Sequence, residues 1–289
     1  MAFMVDELRH FLLVVEHGTF TEAARRARLT QPALSASIRR LEDRLGAKLL
    51  ARGRGGASPT ACGDALVPRA RAVMAALSEA ERAVAEVAGL QAGEVRLGAG
   101  ATVCTYLLPG YIKRFREAHP AIRVRLREGL REALLDAVRG GEVDLAVVPG
   151  GGGEFWRDDA LVLVAAPGLK AKGAPFVTFP RGASTRELLD RHFPEAEVVM
   201  ELSSIAAVKG HVRAGVGVAL LSRFAVESDL AQGRLVEVAH PKTPVARTLS
   251  LAHRGVERLP PAAAALRLLL LRDRDPRRLK ERAPPSVVR

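Results

Sequence analysis

Asparagine is absent from this 289-residue chain, and glutamine occurs only at Gln31, Gln91 and Gln232. Such a scarcity of labile amides suits a hot environment and a GC-rich genome alike. Cysteine is scarce too: Cys62 and Cys104 stand alone, without a CxxC pair or a Cys/His cluster, which argues against a disulfide framework and a zinc site. The seven histidines (His10, His17, His119, His192, His211, His240, His253) are scattered without metal-ligand spacing. No GxSxG elbow, HExxH or GxxxxGK[ST] loop occurs. Gly98-Ala99-Gly100-Ala101-Thr102-Val103 opens like a dinucleotide fingerprint but lacks the third glycine and a suitably spaced acidic residue. Neither an enzyme nor a bound cofactor or metal is expected. No apolar run is long enough to span a membrane, and the N-terminus enters a charged amphipathic helix rather than a signal sequence. A cytoplasmic address, with no membrane partner, is the expectation.

Acidic residues are also in deficit, 32 against 44 Lys and Arg, giving a formal charge of +12 and a sequence pI near 10.7. This balance favours polyanionic partners, because each neutralised phosphate releases counterions. The length exceeds what one core usually serves, so a small domain and a larger, two-lobed one are expected.

The richest stretch runs from Phe20 to Thr60. A first helix places Leu8, Phe11, Leu12 and Val15 on one stripe; Thr21 can cap a short helix over residues 22–27, and Arg28-Leu29 turns the chain. Thr30 then opens a second helix with Pro32 in its first turn, and Leu34, Ile38, Leu41 and Leu45 recur along its buried face until Gly46 stops it. The opposite face carries Gln31, Ser35 and Arg39, with Ser37 and Arg40 beside them. Glutamine can pair with adenine and arginine with guanine, so these side chains suit base edges and phosphates. After them, Arg52-Gly53-Arg54-Gly55-Gly56-Ala57-Ser58-Pro59 offers a tight hairpin whose arginines can lie along the backbone or enter a minor groove.

These residues resemble the LysR-type transcriptional regulators. The resemblance rests on Leu8 with Phe11, Gly18-Thr19-Phe20-Thr21, Ala23-Ala24, Gln31-Pro32-Ala33-Leu34-Ser35, Leu41-Glu42, Leu45-Gly46, Leu49, Arg52, and Thr60 with Gly63. Leu50 and Pro59 stand where the family often has phenylalanine and leucine, so the wing is expected to pack differently. The family reading implies a winged helix-turn-helix that binds double-stranded DNA.

Residues 61–89 turn to alanine, glutamate and arginine, and Leu66, Ala70, Val73, Leu77, Ala80, Val84 and Val87 follow steps of four and three. That heptad seam suits one long helix paired with another copy. In the family this segment is an antiparallel linker helix, which implies a dimer on an inverted repeat and a homotetramer built as a dimer of dimers. RNA polymerase is a further candidate partner.

Beyond Gly93 short apolar runs alternate with helical stretches, an α/β pattern. Strands are expected at 94–99, 124–127, 143–148, 161–165, 198–201, 216–221 and 248–252, with helices at 107–117, 131–139, 185–192, 205–214 and 262–271. The order resembles the family's effector-binding half, related to type 2 periplasmic solute-binding proteins. Its landmarks here are Leu108-Pro109, Phe115, His119-Pro120, Gly141-Glu142-Val143-Asp144-Leu145-Ala146 and Ala214-Gly215-Val216-Gly217-Val218-Ala219. The expected division is 1–60 for DNA binding, 61–89 for the linker helix, 90–272 for the effector domain and 273–289 for a basic, mobile tail.

An effector in such folds sits between the lobes, where helix N-termini aim N–H groups at an anion. Thr102, Val103 and Cys104 follow the first strand; Glu128-Gly129 and Pro149 follow the next two; Ser184-Thr185 and Ser203-Ser204 precede helices. All are candidate effector contacts; Cys104, with no resolving cysteine in view, is read as a half-buried thiol, with an oxidant sensor as the alternative. Between the third and fourth strands Gly150-Gly151-Gly152-Gly153 replaces a longer family crossover, and is expected to act as a hinge or an exposed loop that alters the cleft. The competing reading is a solute-binding or scaffold protein using the α/β domain alone; it leaves Phe20 to Thr60 and the seam without a role.

Overall fold

The computed structural model describes residues 5–53, 56–87 and 93–272, which form two compact units. The N-terminal unit opens with three helices, α1 (Val5–His17), α2 (Phe20–Ala27) and α3 (Gln31–Leu45). Leu8, Phe11 and Val14 of α1, Ala23 and Ala24 of α2, and Leu34, Ile38 and Leu41 of α3 share one core. The cap of α2 is Thr19 rather than Thr21: its extended backbone lets Oγ1 accept from Glu22 N at 3.3 Å, so the helix starts two residues earlier. Arg28 ends α2 in the left-handed region at φ 56°, and its N–H reaches the Ala24 and Arg25 carbonyls. Thr30 caps α3 as expected, and Gly46 closes it at φ 64°. Leu45 departs from the expected buried face; the last turn of α3 runs past the core and leaves it exposed.

The hairpin of β1 (Leu50–Gly53) and β2 (Gly56–Pro59) follows, with Leu50 opposite Pro59 at its root. The two departures from the family pattern are thus cross-strand neighbours. Gly56 must be glycine, because a Cβ there would sit 2.3 Å from the Gly18 carbonyl oxygen, whose partner is Ala57 N at 2.6 Å. Buried Glu42 holds the other end, accepting from Leu49 N (2.9 Å), Leu50 N (3.3 Å) and Lys48 Nζ (2.7 Å). Helix α4 (Ala61–Val87) then runs unbroken past Pro68.

The second unit is built on a seven-stranded mixed sheet in which the strands at 236–237, 154–165, 245–252, 145–149, 94–99 and 123–128 lie side by side in that order, with 219–222 also paired to 154–165. Strands β3 (Glu94–Ala99), β4 (Arg123–Glu128) and β5 (Leu145–Pro149) are parallel, and with α5 (Leu108–Ala118), α6 (Arg131–Arg139) and α10 (Pro261–Arg272) they form the first lobe. The second lobe holds β7 (Phe176–Thr178), α7 (Ser184–His192), β8 (Val198–Glu201), α8 (Ile205–Arg213), β9 (Ala219–Ser222), α9 (Arg223–Ala231) and β10 (Val236–Glu237). The antiparallel strands β6 (Glu154–Ala165) and β11 (Val245–Ala252) run through both lobes, paired from Leu161 opposite Val245 to Glu154 opposite Leu251.

The expected elements are present with shifted limits. Strand β6 begins at Glu154 rather than at 161, because its polar first half pairs with β11. Strand β5 starts at Leu145, since Asp144 turns out to take the Arg96 guanidinium at 2.8 Å. Residues 216–218 precede β9, where Gly217 passes so close to the Pro175 carbonyl that a Cβ would meet its oxygen at 2.2 Å. Short β7 and β10 and helix α9 lacked periodicity sufficient to announce them.

The glycine run is an exposed turn at Gly150 and Gly151, tied by hydrogen bonds to its surroundings. Arg131 donates from Nε to Pro149 O and from Nη2 to Gly151 O, both at 2.9 Å; Gly150 N donates to Thr248 O and Ser250 Oγ to Gly150 O, both at 2.8 Å. At the far end Glu154 binds the Arg267 guanidinium through both oxygens at 2.5 and 2.6 Å, with His253 Nε2 at 3.5 Å. Burial pushes the Glu154 carboxyl up, but His253 and Arg267 outweigh it and hold the pKa at about 2. A lowered folded-state pKa adds stability above the unfolded value and loses it as pH falls through the folded one. Urea midpoints of the wild type are therefore expected to fall between about pH 4.5 and 2. That fall should be shallower in Glu154→Gln; an identical pH profile in the two proteins would show that the ion pair adds nothing.

Candidate DNA-reading face and effector cleft

Helix α3 presents Gln31, Pro32 and Arg39 to solvent beside the Thr30 cap. Among the described residues Arg39 has no ion-pair partner. Arg40 is also exposed but is held through Nε at 3.1 Å by Glu7, a buried carboxylate of α1 that takes Arg44 Nη1 at the same distance. Two serines depart from the expected reading face. Ser37 is only 2% exposed, and its hydroxyl lies 2.8 Å from His10 Nδ1, so it belongs to the α1–α3 contact. Ser35 is likewise buried, accepting from Gln31 Nε2 at 3.3 Å, and so orients Gln31 at the surface. Arg52 lies on β1 and Arg54 falls outside the described residues.

The seam along α4 divides. Ala70 is buried in the DNA-binding core and Leu66 packs against it, so these two positions are covered by their own chain. Val73, Ala80 and Val84 are exposed, Val84 by 69%, and Leu77 is half-buried. The side chain of Val87 lies outside the described residues.

Between the lobes of the second unit lies a cleft of about 390 Å³. Thr102, Val103, Gly129, Pro149, Ser184, Thr185 and Ser203 line it, as expected. The shortened crossover has therefore not removed it. Ser204 and Cys104 do not line it. Ser204 occupies the cap position of α8 without a side-chain cap bond, and its neighbour Ser203 faces the cavity instead. A π-helical turn at Val103–Leu107 follows Thr102, and Cys104 packs on the first-lobe core with Sγ donating to Ala99 O at 3.4 Å. Burial, with Glu128 nearby, pushes its thiol up to about 11. At pH 7.5 Cys104 is protonated and poorly nucleophilic. Iodoacetamide is expected to alkylate exposed Cys62 first, and faster labelling of Cys104 would restore the sensor reading.

Arginines are what the sequence reading missed in the cleft. Arg131, Arg181 and Arg247 all line it, against a single carboxylate, Glu128. Arg247 is buried on β11 directly opposite Asp159 of β6, with Nη2 and Nε at 2.5 and 3.1 Å from Oδ2. Ser222 Oγ donates to Asp159 Oδ1 at 2.9 Å. The remaining Arg247 nitrogen, Nη1, points to Thr185 Oγ1 (3.4 Å) and Ser184 Oγ (3.5 Å) in the cleft wall. The signal was in the strand alternation: Val245, Arg247, Leu249 and Leu251 share one face, and a charge on an inward apolar stripe demands a partner.

A capped recognition helix with a wing, joined through a long helix to a two-lobed unit with a ligand-sized cleft, is the architecture of a transcription regulator that carries an effector-binding domain. Comparison with known proteins agrees along most of the chain. Residues 5–64 match the bacterial regulatory helix-turn-helix protein, lysR family, and residues 88–274 match the LysR substrate binding domain. The HTH-type transcriptional regulator YeiE of Escherichia coli (strain K12) is 33% identical over 273 residues, covering 88% of this chain and 92% of its own. The RuBisCO operon transcriptional regulator of Allochromatium vinosum is 30% identical over 286 residues, covering 92% and 94%. Full-length CbnR, solved with its target DNA complex, shares the fold at TM-score 0.63 and 20% identity, covering 93% of this chain and 99% of its own. The chain belongs to the LysR family of transcriptional regulators. The solute-binding alternative, which used only the second unit, is set aside.

Proposed function

We propose that the chain reads an inverted-repeat operator as a homotetramer, a dimer of dimers, and that a small anionic effector in the interlobe cleft alters that reading. Regulation without catalysis, in the cytoplasm, goes with this role, and RNA polymerase is its natural further partner. The division remains 1–60, 61–89 and 90–272, with the proposed tail 273–289 outside the described residues. Gln31 and Arg39 read base edges; Thr30, Arg40, Arg52 and Arg54 position the unit on phosphates, and Pro32 makes an apolar contact beside them. Ser35 and Ser37 support the helix from inside. Self-association uses Val73, Leu77, Ala80, Val84 and Val87, with Leu66 and Ala70 serving the DNA-binding core.

The observation that carries the DNA reading is Arg39, solvent-exposed on α3 and free of any ion pair among the described residues. Arg39→Ala is expected to weaken operator binding by about 1–3 kcal/mol if it reads a base, and to lower the salt slope by about one if it holds a phosphate. Titrations at several salt concentrations separate the two; no loss in either quantity removes Arg39 from the interface. The anionic class of the effector rests on Arg181, the lining arginine that makes no ion pair among the described residues, and on helix starts at Val103, Arg131, Ser184 and Ile205 around the cleft.

A further inference from the structure

A second cavity, of about 640 Å³, lies in the second lobe and shares no lining residue with the interlobe cleft. Its position follows from three chain segments: the approach to β7, the approach to β8 and the stretch after β10. The floor is aromatic. Phe176 and Phe193 meet with ring centroids 5.4 Å apart, and His240 stands 5.0 Å from Phe193. Although both phenylalanines are mostly buried, they border the cavity. His240 Nδ1 accepts from Lys242 N at 3.2 Å, which leaves Nε2 as the ring's N–H donor.

The rim is charged with both signs. Lys172 and Lys242 border the cavity together with Glu195 and Glu197. Among the described residues none of these four makes an ion pair, although they surround one opening. Lys242 Nζ instead stands 5.6 Å from the centroid of the Phe193 ring. Phe176 and Phe193 belong to the core of this lobe, so the charged rim stands over an aromatic basin that the fold itself supplies. Opposite charges held apart above such a basin match a ligand that carries both charges itself and has a flat apolar body.

We propose that this cavity binds an α-amino acid with an aromatic side chain. The ring lies on Phe193 and Phe176, the carboxylate meets Lys242 and Lys172, and the ammonium meets Glu195 and Glu197. The site is independent of the effector reading of the interlobe cleft, and no bond is made or broken in it.

The test is calorimetric titration of the full chain with L-phenylalanine, beside 3-phenylpropionate, which lacks the ammonium, and phenethylamine, which lacks the carboxylate. Phenylalanine is expected to bind saturably, with each truncated probe weaker by about tenfold, the scale of one lost charge-assisted contact. The exposed-rim pairs Lys172→Gln with Lys242→Gln, and Glu195→Gln with Glu197→Gln, should each weaken phenylalanine by a similar factor while thermal midpoints stay at the wild-type value. If a rim pair lowers the midpoint, Ala196→Trp, which fills the opening, must still abolish binding. The proposal is overturned by absence of saturable phenylalanine binding up to about 10 mM, or by 3-phenylpropionate binding as tightly as phenylalanine. Loss of binding in Arg181→Gln with none in the rim variants would place the ligand in the interlobe cleft and equally overturn it.

Discussion

Asp159→Ala is expected to destabilise the second unit by about 3–5 kcal/mol, the cost of stranding a buried guanidinium without its counter-ion. The Asp159 side chain is wholly buried and that of Arg247 is 6% exposed, so water cannot replace the lost carboxylate. What remains around Arg247 is two hydroxyls, Ser184 and Thr185, at 3.4 to 3.5 Å, too long to carry a full charge. Ser222 would lose its acceptor as well, adding a smaller penalty. Urea denaturation followed through Trp156, the chain's single tryptophan, reports this unit directly, because Trp156 is buried on β6 with its indole N–H bonded to Leu270 O. A loss under about 1 kcal/mol would mean that Arg247 swings into the cleft and stays solvated. The double variant Asp159→Ala with Arg247→Met removes both charges, and most of the lost stability should return. It should not recover binding of the proposed anionic effector if that effector uses Arg247 Nη1, which faces the Ser184-Thr185 wall. The same pair thus separates a structural cost from a functional one.

That pair also marks where sequence reasoning stops. The helix-turn-helix was legible because its instructions are local: a threonine cap, Pro32 in the first turn, a left-handed Gly46 and apolar steps of three and four. Ser37 was misplaced because its side depends on His10, 27 residues away on another helix. The seam shows the same limit differently. A heptad spacing looks alike whether its partner is a second copy or the chain's own core, and Leu66 and Ala70 went to the core. Most of the cleft hydroxyls were found because they sit at strand-to-helix junctions, which the sequence punctuates. The arginines were not, because the polar first half of β6 hides its strand character and with it the partner of Arg247, 88 residues away.

Gly153→Ala is expected to be the second most damaging change, destabilising the unit by about 3 kcal/mol or more. A Cβ at Gly153 would sit 2.1 Å from the Leu251 carbonyl oxygen, 2.6 Å from its carbon and 2.9 Å from Ala252 N. All three are backbone atoms of β11, so no side chain can swing aside to relieve the clash. Relief would require β6 and β11 to part at the end where they join Glu154 to Leu251, beside the Arg267 ion pair. Gly151→Ala provides the contrast within the same run: its Cβ would meet nothing within 4 Å, and its backbone needs no positive φ. There the change is expected within about 0.5 kcal/mol of wild type, with any gain coming from a less flexible unfolded chain. A hinge or a freely exposed loop would tolerate alanine equally at both positions, whereas a turn tied by Arg131 and Ser250 should not. Equal denaturation midpoints for the two variants would return the glycine run to the role of a hinge. Unequal ones would mean that the short crossover fixes the cleft wall at Pro149 instead of loosening it, so that an effector meets a preformed surface on that side and motion must come from the other lobe.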